Sequence, residues 1–200
     1  MRNCLLLLIV GASMACKHWD RSTDSNGCPK GWVVVMRSGR AHCLKAIGER
    51  AYFEDAEFCC SQYGGTVGGF QNKRERDLVL ADAQKDEYFN DGGAIWIGAQ
   101  RRDECSGRNE NRWDCRPAAT KAFKWLDTSI TGSDGFNFID GQPDNNNYNQ
   151  NCVYMISQTM TDGFGVWNAG DMEDVPCDYA VNTESPKRAI RGYVCGMTPK

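Results

Sequence analysis

The sequence predicts an α+β domain, exported and held together by disulfides, and three observations carry that prediction. Two amphipathic helical stretches come early and are followed by short apolar runs, an order that reads as α+β. Long segments rich in Gly, Asn, Asp and Ser separate those runs. Ten of the eleven cysteines in 200 residues sit behind an apolar leader, which places them in an oxidising compartment where thiols pair.

The leader comes first. Arg2 is followed by the unbroken apolar run Leu5 to Val10 and then by small residues at Ala12, Ser13 and Ala15, the pattern of a secretory signal peptide over 1–15. The run is far shorter than the ~20 residues that cross a bilayer, and no later segment is long enough, so a secreted chain without a membrane span is expected. Residues 16–27 are polar and unpatterned, a linker ahead of a domain over 28–197. Net charge is −3 and no basic stripe is visible, which makes nucleic acid a poor partner.

Within the domain, Trp32 to Met36 is apolar and β-branched and ends at the turn signal Ser38-Gly39. A second strand around Cys43 to Ile47 completes a hairpin. Tyr52, Phe53, Ala56 and Cys60 recur at helical spacing until Gly64-Gly65. Asn72 opens a second helix with Glu75 as a capping box, Leu78, Leu80 and Ala83 as its apolar side, and Gly92-Gly93 as its stop. Short strands are expected at Ala94–Ala99, Phe123–Leu126, Cys152–Ile156 and Ala189–Cys195. The stretch 127–151 is a long loop, and loops of that length in a small domain are usually functional or disordered; the cysteines and aromatics around it favour order. Trp96 and Trp125 sit in apolar runs and read as core, and His42 beside Cys43 reads as structural.

Catalytic and zinc readings find little support. Gly-x-Ser-x-Gly and His-Glu-x-x-His are absent from the sequence, and two histidines are few for acid–base pairing. Zinc sites usually show closely paired ligands, and there is no Cys-x-x-Cys. The chain is not expected to be an enzyme.

Taken in order, Cys28-Pro29-x-Gly31-Trp32, Ala56-x-x-x-Cys60 with Gly64-Gly65, Trp96-Ile97-Gly98, Phe123-Lys124-Trp125, Gln142-Pro143-Asp144, Cys152, Cys177 and Cys195 resemble the long form of the C-type lectin-like family, over residues 28 to 195. The resemblance implies a fold of two helices flanking short antiparallel sheets with a long ligand-binding loop. It implies bridges Cys28–Cys43, Cys60–Cys195 and Cys152–Cys177, and Cys105 and Cys115 stand close enough in an insertion to bridge each other. Cys59 is an extra thiol that could meet Cys16 or link two chains into a dimer.

The resemblance also implies calcium, a hard cation taking six to eight oxygen ligands. Gln142 and Asp144 flank a proline that is cis in this family and turns both side chains toward one point. Asp174 matches the acid of the family's tryptophan-asparagine-aspartate strand, which here reads Met172-Glu173-Asp174. Gln150 stands where many sugar-binding members carry glutamate. The implied ligands are therefore Gln142, Asp144, Gln150, Glu173 and Asp174, three acids and two amides. On such an ion Gln142, Asp144, Glu173 and Asp174 would hold sugar hydroxyls, with Tyr148 as a stacking ring. The Gln-Pro-Asp order implies galactose or N-acetylgalactosamine, and hence glycans or glycoproteins as partners. The alternative is a module of the same fold that binds a protein or another ligand without calcium.

Overall fold

The β-branched run at the start of the domain forms strand β1 (Val33–Arg37), and the turn at Ser38-Gly39 returns it as β2 (Arg40–Gly48), in a computed structural model that describes residues 16, 17, 20, 22–179 and 186–199. Ser38 and Gly39 both take positive φ, 48° and 78°, as a two-residue hairpin turn requires. The expected signal segment lies outside the described residues.

Helix α1 (Phe53–Ser61) turns Phe53, Ala56, Cys59 and Cys60 inward, and β3 (Thr66–Val67) follows. Helix α2 (Lys73–Ala83) starts at Asn72, whose side chain accepts the Glu75 N–H. Only half of the expected capping box forms. The Glu75 carboxylate accepts the Gln71 N–H and binds Arg37 instead. The helix is also rotated from the expected phase: Val79 and Ala83 are buried with Glu75 and Arg76, while Leu78 is exposed. It stops at Ala83 rather than at Gly92-Gly93, because Asp86 caps a separate short turn over Glu87–Phe89.

The remaining elements are β4 (Ala94–Arg101), α3 (Ala118–Lys121), β5 (Phe123–Trp125), β6 (Cys152–Ile156), β7 (Met160–Asp162), β8 (Gly165–Trp167), β9 (Met172–Val175) and β10 (Ile190–Met197). The main sheet runs β1-β2-β10-β4-β6-β9, with β3 attached to β10 and β5 to β4. Its neighbours are antiparallel except β10 and β4, which run parallel. Strands β7 and β8 form a separate hairpin.

Apolar side chains fill both faces of the sheet. Trp96, Tyr154 and Tyr193 pack with Phe53 of α1 on one side, and Ile95, Ile97, Met155 and Val79 of α2 pack on the other. Trp96 is fully buried and donates to the Ala51 carbonyl at 2.9 Å. Trp125 stacks on Phe136 at 4.1 Å. Gly98 is required by close approach, since a Cβ there would sit 1.9 Å from the Val67 carbonyl oxygen.

Five disulfides tie the chain: Cys16–Cys59, Cys28–Cys43, Cys60–Cys195, Cys105–Cys115 and Cys152–Cys177. Of the two partners expected for Cys59, Cys16 or a second chain, the structure has Cys16. Cys16 and Cys59 lie 5.4 Å apart at their Cα atoms and bond to each other, leaving neither thiol for a second chain.

The long loop is ordered by buried arginines. Arg37 binds Glu75 and Asp127, each at 2.6 Å, and donates to Ser129 Oγ and the Gly69 carbonyl at 3.0 Å. His42 Nε2 lies 2.8 Å from the same Asp127 carboxylate. Arg76 donates to the Gly135 carbonyl at 3.2 Å, and Gln71 pairs with Thr131. These contacts present the far end of the loop to the edge of the sheet.

Candidate functional site

Beyond those anchors, the loop and the β7–β8 hairpin enclose a cleft of about 500 Å³. Gln142, Asp144, Gln150 and Glu173 all line it, with Ile139, Phe164, Trp167, Tyr179 and Arg188 among its walls. The Gln142-Pro143 peptide is cis. Gln142 Oε1 accepts the Asp144 N–H at 3.1 Å. Gln150 Oε1 accepts the Asn146 N–H, so the two amides brace the turn between them.

Asp174 is not in the cleft. It is fully buried, and its Oδ1 accepts the Asp144 N–H at 3.0 Å. Its Oδ2 accepts the Asn145 N–H at 3.0 Å and meets Arg101 Nη2 at 2.5 Å. Burial pushes this carboxyl up to about 6, against the pull of Arg101 and the two N–H groups. Glu173 faces the other way. Its Oε2 accepts from the Tyr154 hydroxyl and from Arg188 Nη1 at 2.6 Å, and burial raises its pKa despite both donors.

Arg188 gathers that side of the cleft. It reaches Asp162 through Nε at 2.8 Å and lies over the rings of Phe164 and Trp167, 4.7 and 4.6 Å from their centroids. It therefore fastens the β7–β8 hairpin to the sheet. Burial opposes its charge, but Tyr154 and Glu173 outweigh burial and raise its pKa.

Of the five residues expected to hold calcium, Gln142, Asp144, Gln150 and Glu173 line the cleft and Asp174 does not. Glu173 and Asp174 are consecutive in β9, and consecutive strand side chains leave on opposite faces. Each already holds an arginine. Among the described residues no group of three or more His, Cys, Asp or Glu could hold a metal ion. Gln142, Asp144 and Gln150 remain close together, yet Asp144 is the single acid among them. Tyr148 also departs from expectation: it is outside the cleft lining and packs beneath Arg108, 4.5 Å from its ring centroid.

Sequence reasoning missed Arg101 and Arg188. The signal for Arg101 was present, because it continues the buried row Ile95, Ile97 and Ala99 of β4, and a buried arginine requires an acceptor. Arg188 lies in a short polar segment before β10 and carries no comparable mark.

A mixed sheet flanked by two helices, with a long loop beside it and five disulfides among the described residues, defines a C-type lectin-like protein. The family model described as C-type lectin domain-containing protein 141/158 matches residues 37–198, and the chain belongs to that family. The C-type lectin LmsL of Lachesis stenophrys is 28% identical over 145 residues, covering 72% of this chain and 88% of the relative. Among solved structures, the C-type lectin CEL-I from Cucumaria echinata superposes with a TM-score of 0.54 at 19% identity, over 86% of this chain and 99% of that one. A calcium-independent type II antifreeze protein superposes with a TM-score of 0.50 at 18% identity, over 86% and 95%.

Proposed function

We propose that this chain is a secreted lectin-like module that binds a glycan directly in the cleft between the long loop and the β7–β8 hairpin, without calcium. The observation that carries the reading is the withdrawal of Asp174 from the cleft into a buried pair with Arg101. What remains is a lining of carboxylates and amides beside aromatic walls. Carboxylates accept and amides donate hydrogen bonds to hydroxyls, while an aromatic wall takes the apolar face of a sugar ring. The intrachain disulfides suit an oxidising compartment, and among the described residues no helix is long and apolar enough to cross a membrane.

Galactose and N-acetylgalactosamine are the first ligands to test, since Gln142 and Asp144 stand in the order that implies them in the family. That order acts through an ion in the family, so a calcium-free cleft leaves the choice of sugar to direct contacts. A protein ligand is favoured by one observation: Phe164 is 70% exposed and Val166 58% exposed at the rim, more apolar surface than a single sugar covers.

The test is a glycan array read once in calcium and once in a chelator. Binding that survives chelation and is lost in Phe164→Ala or Glu173→Gln supports the reading. Binding seen only with calcium restores the ion-dependent lectin, and no glycan binding in either buffer favours the protein ligand.

A further inference from the structure

We propose that Arg101 is a built-in cation that positions residues 142–150, supplying from within the chain the charge that a divalent ion would bring from solution. This deepens the calcium-free reading above, but it does not require the ligand to be a glycan.

Arg101 is the last residue of β4 and pairs with Phe123 of β5; its guanidinium lies 4.5 Å from the Phe123 ring centroid. Its side chain is 1% exposed and that of Asp174 is 0% exposed, so the pair is shielded from water. A buried arginine keeps its proton because its ordinary pKa is above 12, and the charge needs a carboxylate to offset its desolvation.

From that position one guanidinium controls both ends of the loop's distal stretch. Nε donates to the Gln150 carbonyl at 2.8 Å, and the backbone N–H of Arg101 donates to the Asn151 carbonyl at 2.8 Å. Nη2 holds Asp174, which in turn accepts the Asp144 and Asn145 N–H groups. Asn145 is 3% exposed, takes a positive φ of 50°, and donates from its side chain to the Gly107 carbonyl at 2.9 Å. The insertion that carries Cys105 and Cys115 is thereby tied to the same node.

Charge accounting points the same way. Glu173 and Asp174 are two of the three acids that the family resemblance assigns to an ion, and here each has its own guanidinium, Arg188 and Arg101. A covalently attached cation cannot be chelated or diluted away. The geometry of Gln142, Asp144 and Gln150 is thus independent of extracellular ions.

The experiment is amide hydrogen exchange across 142–150 in the full chain, with calcium, with a chelator, and in variants of Arg101. The wild-type protein should show protected Asp144 and Asn145 amides that neither addition alters. In Arg101→Met those amides should exchange about tenfold faster or more, while β2 and β10 keep their protection, and Arg101→Lys should restore part of it. Should Arg101→Met fail to fold, Arg101→Met with Asp174→Asn removes both buried charges and should fold with the same local loss. Unchanged protection in the foldable variant overturns the proposal, as does wild-type protection that rises with calcium and falls on chelation. Failure to find a glycan leaves this result standing, so the two readings fail separately.

Discussion

Replacing Arg37 by methionine removes the cation that Glu75 and Asp127 share. The three side chains are 4%, 6% and 7% exposed, and both carboxylates lie 2.6 Å from the guanidinium. The variant therefore leaves two acids in a poorly hydrated site and frees the Gly69 carbonyl and Ser129 hydroxyl that Arg37 also binds. Breaking a buried pair by deleting one partner costs about 3–5 kcal/mol. At roughly 2–4 °C per kcal/mol for a chain of this size, the melting temperature should fall by about 6–20 °C. Adding Glu75→Gln should recover part of that loss, because it removes one of the stranded charges. The assay is urea unfolding followed by tryptophan fluorescence with disulfides intact. A loss below about 1 kcal/mol, the range of exposed pairs, would refute the reasoning, since it would mean that the acids are solvated.

Three further outcomes concern Asp127 and the Cys16–Cys59 bridge. Burial alone would raise the Asp127 pKa, but His42 and Ser129 hold it well below the ordinary carboxylate range. A depressed carboxylate contributes stability that is present above its unfolded value near ~4 and is lost as pH falls below it. The stability difference between the wild type and Asp127→Asn should therefore shrink between about pH 5 and pH 2, and a constant difference in a pH series of unfolding curves would contradict the assignment. Cys16–Cys59 closes a 43-residue separation, so Cys16→Ser with Cys59→Ser should cost about 4 kcal/mol in the chain-entropy picture. On non-reducing gels the unaltered protein should run as a monomer, and a disulfide-linked dimer would contradict the intrachain bond.

The framework was legible because it rests on local and repeating signals. Strand β6 was read at its observed ends, Asn72 does cap α2, and Trp96-Ile97-Gly98 sits in the core with its glycine against Val67. The phase of α2 was not legible, since Glu75 and Arg76 turn inward to serve the long loop and carry Leu78 out to solvent. The hairpin β7–β8 went unread for a similar reason: it is held by Arg188, a tertiary contact with no local pattern.

The candidate site was legible in part, since Gln142, Asp144, Gln150 and Glu173 line one cleft and Asp174 lies outside it. Counting three acids and two amides keeps the charge of a calcium cage but does not fix where the side chains point. Strand alternation separates Glu173 from Asp174, and that rule was available from the sequence once β9 was read as a strand. The partner of Asp174 was harder to see, because Arg101 and Asp174 are 73 residues apart in sequence.

Strand β10 lies between β2 and β4 and carries Cys195, the partner of Cys60. The residues that complete the middle of the sheet therefore follow, in the chain, every strand they join. Until they arrive, β2 and β4 each present an unpaired edge, the feature by which nascent chains adhere to one another. A stop codon ahead of Ile190 would yield no shortened binding module, only a chain with the centre of its sheet missing.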